Sequence, residues 1–258
     1  MKAFEIMNDI IGDEFLQKAG ENTVDTLKAG NPEKEVRKIG TCLTATPEVL
    51  REAKEWGVDL LITHEPTFYN HRDEIDDSEL TAKKIKLVEE SGVVLYRYHD
   101  SMHSRGNDEI SEGFLVKMGW QGEFDGKLGF VLDESKTPLQ MAEEISKKLG
   151  LRHPRIVGCR DGQVKRIFLA LGSRGQATYT EFRNNDYDVI IAGELCEWRD
   201  CEPVRDLAQM GIQKTVIILG HAGSERDGMA VLAEKINGKY GGAEAKYFEC
   251  GEIYSYVD

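Results

Sequence analysis

Two stretches of this chain read as copies of one another, and that repetition restricts the fold more than any single motif does. Val36-Arg-Lys-Ile39 leads through a helical pattern to Asp59-Leu-Leu-Ile-Thr-His64-Glu65. Val164-Lys-Arg-Ile167 leads in the same way to Asp188-Val-Ile-Ile-Ala-Gly193-Glu194, and the paired segments start 23 and 24 residues apart. Each stretch then runs through a further helical pattern to a strand ending in histidine: Val94-Leu-Tyr-Arg-Tyr-His99 in the first, Val216-Ile-Ile-Leu-Gly-His221 in the second. Short apolar strands joined by helices are buried on both faces only in a parallel sheet covered by its crossovers. The expectation is therefore an α/β fold of two similar subdomains.

The remaining pattern fits that frame. Strands are expected at 36–43, 59–63, 93–98, 128–132, 164–171, 188–192, 215–219 and 245–248. Helices are expected at 47–56, 79–91, 108–118, 139–149, 179–184, 201–210 and 226–236. Thr46-Pro47 and Thr137-Pro138 each place a capping hydroxyl before a proline suited to the first helical position. The first half spans 1–120, an inserted or linking segment 121–162, and the second half 163–258, all within one domain.

Composition excludes several classes. The chain has 258 residues, of which 40% are hydrophobic, enough to bury a sizeable core without disulfides. A formal charge of −13 leaves no basic excess to displace counterions, so a nucleic-acid partner is not expected. The five cysteines (Cys42, Cys159, Cys196, Cys201 and Cys250) are odd in number and include no C-x-x-C pair. That usage points to a reducing compartment rather than to a disulfide framework. Residues 1–11 lack the basic start and apolar run of a signal peptide, and no apolar run is long enough to span a bilayer. A cytoplasmic protein with no membrane partner is expected.

Ligands of parallel α/β sheets collect beyond the carboxyl ends of the strands. Three strands end here in metal-competent side chains: His64-Glu65, His99 to His103, and His221 to Glu225. Imidazole suits zinc, manganese, iron, cobalt or nickel, and a carboxylate can bridge two ions. His64, Glu65, His103, His221 and Glu225 are thus the candidate ligands of two divalent ions, with positions left for water. The strand before His221 ends so close that only Glu225 is expected on the helix. His99 is an acid–base or ligand-orienting candidate, with a structural hydrogen bond as the alternative. Glu194, the repeat partner of Glu65, could bind a substrate amine or cap a helix. His71 and His153 read as loop residues, and the run from Asp73 to Asp77 as a solvated loop. The turn at 172–176 could hold an anion on its backbone N–H groups. Phe68, Tyr69, Tyr98 and Trp198 are candidates either for stacking on a planar base or for the core.

Over nearly its whole length the chain resembles the NIF-three-like family of dinuclear-metal, ring-forming proteins, some members of which carry the label GTP cyclohydrolase 1 type 2. The resemblance rests on Asp59-Leu-Leu-Ile-Thr-His-Glu-Pro-Thr-Phe-Tyr69, on Tyr96-Arg-Tyr-His-Asp-Ser-Met-His103 with Gly106-Asn107, on Ala192-Gly-Glu194, and on Gly220-His-Ala-Gly-Ser-Glu225. The family pattern has a His-His pair after the first strand and an aspartate four residues after the second-strand histidine. It ends in Gly-His-x₃-Glu. Glu65 stands here in place of the second histidine, and His103 in place of the aspartate. One reading is a compensated exchange that keeps three histidines and two carboxylates; the other is the loss of one metal. Asp100 is the alternative to His103.

The resemblance implies a metal cleft between the two subdomains and a homo-oligomer, a hexameric ring. It also implies a metal-dependent hydrolase acting on a small molecule, a phosphate ester or nucleotide-like compound, with His99 or Glu194 moving a proton. A non-catalytic metal-binding or regulatory assembly is the competing class.

Overall fold

The computed structural model describes residues 1–104, 106–175, 180–181 and 186–257. The chain forms two compact units, one of Met1–Arg105 with Gly228–Asp258 and the other of Gly106–Asp227.

The first unit opens with α1 (Ala3–Ile11), α2 (Asp13–Ala19) and a short strand β1 (Leu27–Ala29). It continues through β2 (Lys38–Cys42), α3 (Pro47–Trp56), β3 (Leu60–Thr63), α4 (Glu79–Ser91), β4 (Val94–Arg97) and α5 (Asp100–Ser104). Its sheet has the order β1-β4-β3-β2-β11, where β11 is Glu244–Tyr247. All neighbours are parallel except β1 with β4. The Thr46 hydroxyl accepts the Val49 N–H at 3.2 Å, so the expected cap starts α3. Val49, Leu50 and Ala53 of α3 and Val88 of α4 pack on Cys42, Leu61 and Leu95, covering one face of the sheet. That cover buries Leu61 of β3 and Leu95 of β4; the remaining positions of both strands are buried as well.

The second unit holds α6 (Glu109–Met118), β5 (Gly122–Asp125), β6 (Gly129–Lys136), α7 (Pro138–Leu149) and β7 (Arg155–Gly158). After β8 (Val164–Ala170) and β9 (Val189–Ala192) come a π-helical turn (Glu197–Cys201), α8 (Glu202–Gln209) and β10 (Thr215–Ile218). The sheet order is β5-β6-β8-β9-β10-β7, with β8, β9 and β10 parallel and the other pairings antiparallel. Segment 121–162 thus supplies both edges of this sheet, through the β5–β6 hairpin and β7. The last helix, α9 (His221–Ile236), contains the boundary between the units.

The α/β fold and its internal repeat are both present: β2-β3-β4 in the first sheet matches β8-β9-β10 in the second. The match extends to atoms. Asp59 Oδ2 accepts the N–H groups of Arg37 and Lys38 at 2.9 and 3.2 Å, fixing the start of β2 beside β3. Asp188 Oδ2 accepts those of Lys165 and Arg166 at 2.9 and 3.0 Å, doing the same for β8 and β9.

One expected helix start changes. The last helix begins at His221 rather than at 226, because Gly220 takes a left-handed turn (φ 83°) that ends the strand and starts the helix at once. Of the helix expected at 179–184, only Thr180 and Glu181 fall within the described residues. All five cysteines are free thiols. Among the described residues no helix is long and apolar enough to cross a membrane.

Candidate metal centre

In the first unit, the end of β3 presents His64. Its N–H donates to the carbonyls of Cys42 and Leu43, and the Glu65 N–H donates to Leu43 at 2.8 Å, so both residues are fixed by the neighbouring strand. His64 is wholly buried. Beyond β4, the Tyr98 N–H donates to Thr63 at 2.8 Å, and the chain turns directly into α5. That turn is held by Asp25, whose carboxylate accepts the N–H groups of His99, Asp100 and Ser101 at 2.6, 2.8 and 2.7 Å. The orphan donors at the start of a helix are thereby satisfied. One turn later α5 presents His103.

The result is a triplet of imidazoles. Ligand-competent nitrogens of His64, His99 and His103 lie within 4.8 Å of one another. Their ring centroids are 4.7 Å (His64–His99), 5.0 Å (His64–His103) and 4.9 Å (His99–His103) apart. His71 adds a ring 5.7 Å from that of His99.

Two of these rings are oriented by acceptors. His64 Nδ1 lies 3.1 Å from the Tyr98 carbonyl. A carbonyl only accepts, so Nδ1 carries the hydrogen and Nε2 the lone pair. Burial, reinforced by the His99 and His103 rings, holds the His64 imidazole well below its ordinary pKa and therefore neutral. His99 Nδ1 lies 2.8 Å from Asp100 Oδ1, while Asp100 Oδ2 accepts from the Thr23 hydroxyl and the Val24 N–H, both at 3.0 Å. Burial works to raise the Asp100 pKa, but the bonds from His99, Val24 and Thr23 outweigh it and hold the carboxyl far below its usual range. Asp100, the alternative to His103, thus has one oxygen engaged with the His99 ring and the other with the Thr23 hydroxyl and the Val24 N–H.

The loop after Glu65 is anchored from beneath. Asp73 was expected in a solvated run, yet its side chain is almost fully buried and its Oδ1 accepts the N–H groups of Thr67 and Phe68 at 2.6 and 2.8 Å. Its Oδ2 lies 3.6 Å from Lys28 Nζ and 3.7 Å from Arg97 Nη1. The cause of the difference is non-local: β1 and β4 bring the two cations under the loop. Glu74, Asp76 and Asp77 are exposed, as expected. Phe68 and Tyr98 are core residues, whereas Tyr69 and Trp198 are exposed.

In the second unit, His221 opens α9 and Glu225 follows four residues later, one turn along the same face, so both ligand candidates are helical. His221 Nε2 lies 3.1 Å from Glu225 Oε2, and its Nδ1 lies 3.3 Å from Glu194 Oε1. Glu194 is half exposed and Glu225 almost fully buried. Room for Glu225 is made by Gly172, where a Cβ would fall 2.0 Å from Glu225 Oε1. In the turn read as an anion site, the Gly172 N–H already donates to Ser224 Oγ at 3.0 Å. Arg174 there pairs with Asp108 at 2.6 Å, and Gln176 lies outside the described residues.

Sequence reasoning gave no role to Asp25 and none as an imidazole partner to Asp100. Asp100 was accessible by its adjacency to His99; Asp25 carries no local signal, since its partners are 74 or more residues away.

The profile of the Duf34/NIF3 (NGG1p interacting factor 3) family matches residues 4–250. The chain belongs to this family. A GTP cyclohydrolase 1 type 2 homolog of Clostridium perfringens is 29% identical over 248 residues, covering 92% of this chain and 91% of that protein. The solved structure titled protein ybgI, unknown function, has a TM-score of 0.77 at 21% identity, covering 98% of this chain and 100% of that one. A Bacillus cereus protein related to NIF3 superposes with a TM-score of 0.75 at 15% identity, covering 100% and 99%. This Duf34/NIF3 chain carries a histidine-rich cluster at its strand ends. Its donors, among them the neutral His64 imidazole with Nδ1 held on the Tyr98 carbonyl and the His99 ring with Nδ1 held on the Asp100 carboxylate, fit a divalent transition metal.

Proposed function

We propose that this Duf34/NIF3 chain is a dinuclear metal-dependent hydrolase acting on a phosphate ester or nucleotide-like substrate. In this reading His64, Glu65, His103, His221 and Glu225 hold the ions. The observation that carries this reading is the triplet of imidazoles, two of which, His64 and His99, have Nδ1 fixed by acceptors. Such outer hydrogen bonds are what set the tautomer and direction of metal-binding histidines.

When bound, divalent ions supply Lewis acidity toward a phosphoryl or carbonyl oxygen and lower the pKa of water. The chain's own part is to aim the donors and to move protons. Glu194, half exposed beside His221, accepts or returns a proton at its Oε1, and His99 is the alternative shuttle. The name of the Clostridium perfringens relative supports a nucleotide-like substrate. We further propose a homohexamer in the cytoplasm, in keeping with the family resemblance and the free thiols.

Metal analysis of the purified chain, then a screen of phosphodiesters and nucleotides, tests the reading. Turnover is expected with bound zinc, manganese, iron, cobalt or nickel, and is expected to fall at least about a hundredfold in Glu225→Gln. Metal-loaded protein that turns over nothing in the screen would favour a binding or regulatory assembly instead. A folded chain that takes up no metal would refute both.

A further inference from the structure

We infer that His99 is itself a metal ligand, so that His64, His99 and His103 form a three-imidazole site within the first unit that favours zinc, nickel or cobalt over manganese. This rests on the metal-binding reading above and goes beyond it, because it moves His99 from proton shuttle to ligand and gives the site a preference.

Geometry carries the assignment. The three rings stand at nearly equal spacing, 4.7 to 5.0 Å between centroids, and they lie at the ends of two adjacent parallel strands and on the helix that follows. Three nitrogens within 4.8 Å of one another can be spanned by one ion, since metal–nitrogen bonds of about 2.0–2.1 Å place two ligands some 3–4 Å apart. His64 and His99 each have Nδ1 against an acceptor, the Tyr98 carbonyl and the Asp100 carboxylate, which leaves Nε2 as the ligating atom of both. The His99–Asp100 pair is the carboxylate–histidine arrangement that orients metal-binding imidazoles. Asp100 is in turn locked by Thr23 and Val24, so the ring direction is determined two bonds away from the site.

The residue at 103 sets the preference. A carboxylate on this turn of α5 would give a mixed nitrogen–oxygen site suited to manganese as well as to zinc. An imidazole there makes a purely nitrogen set, which follows the rise in affinity from manganese toward nickel and zinc more steeply. His71, whose ring is 5.7 Å from that of His99 but outside the triplet, is not assigned a ligand role.

Cobalt and zinc binding to the full-length chain, read by visible absorption and competition with a chelating dye, tests the inference. His99→Ala and His99→Gln are each expected to weaken cobalt binding more than about 100-fold, beyond the 10–100-fold that loss of an outer partner produces. Asp100→Asn is expected within that smaller range, and His71→Ala to stay within threefold of the unaltered chain. His103→Asp is expected to bind manganese relatively better against zinc. X-ray absorption of the unaltered chain with one equivalent of zinc should show at least three imidazoles, a readout that does not depend on any variant folding. Unchanged cobalt binding in both His99 variants, or fewer than three imidazoles at zinc, would overturn the ligand role while leaving metal binding intact. Absence of metal from the unaltered chain would instead overturn the underlying reading.

Discussion

Arg97 Nε donates to the backbone carbonyl of His64 at 2.8 Å. The same guanidinium donates to the His71 carbonyl and pairs with Asp73, so one buried cation ties the start of the loop that follows β3 to its middle. Removing one partner from a buried charge cluster leaves the others uncompensated and costs about 3–5 kcal/mol. Asp73→Ala is therefore expected to destabilise the chain by about 3 kcal/mol or more, read as a shift in the urea unfolding midpoint. A loss below about 1 kcal/mol would show that the loop is held by something other than this carboxylate.

Gly172 offers a paired comparison. Its φ of 68° matches the 69° of Gly92, but a Cβ at Gly172 would collide with Glu225, whereas one at Gly92 would meet nothing within 4 Å. Gly92→Ala is expected to cost about 1 kcal/mol, the backbone penalty alone. Gly172→Ala should cost clearly more and, on the proposed function, weaken metal binding as Glu225 is displaced. Equal unfolding midpoints for the two variants would contradict the packing argument.

Acidification acts on His64. An unfolded chain takes up a proton on this ring near pH 6.5, while the folded chain, with the pKa held well below that value by burial, does not. The unfolded state then binds more protons, so stability present above pH 6.5 is lost as the pH falls below it. Metal-free protein should lose stability between pH 6.5 and about 5, where most carboxylates remain ionised. In His64→Asn this slope should flatten; two superimposable pH profiles would refute the assignment.

The repeat predicts a symmetric effect. Asp59 and Asp188 each accept two backbone N–H groups at the start of the preceding strand. Charge-assisted bonds of this kind contribute about 1.5–3 kcal/mol, so Asp59→Ala and Asp188→Ala are each expected to lose about 2 kcal/mol. Chemical denaturation of the two variants should give losses of similar size, and a negligible loss in either would break the equivalence.

Much of this fold could be read from the chain because its central strands are short, apolar and flanked by capped helices. Val36 to Thr63 shows it, with the Thr46 cap on α3 between two buried strands. Three other elements, β5, β7 and α5, could not be read that way. β5 and β7 are half-exposed and carry no alternation strong enough to stand out, and α5 is a five-residue turn. At the site, the histidines were visible at strand ends, and the metal reading followed from them. The anchors were not: Asp25, Asp73 and Arg97 act on segments that only the sheet brings near, and a charge run such as 73–77 looks the same whether one member is buried or none. His221 was misplaced relative to its helix by a single glycine.

The two aspartate locks have a further consequence. They sit at the amino ends of the paired strands, while everything that distinguishes the halves chemically, Thr-His-Glu against Ala-Gly-Glu, sits at the carboxyl ends. Strand pairing and strand-end chemistry are thus specified by non-overlapping residues about five positions apart. The residues at one end of each copy can therefore be exchanged, to bring in a new reaction or to remove one, with no penalty to the register that keeps the sheet together.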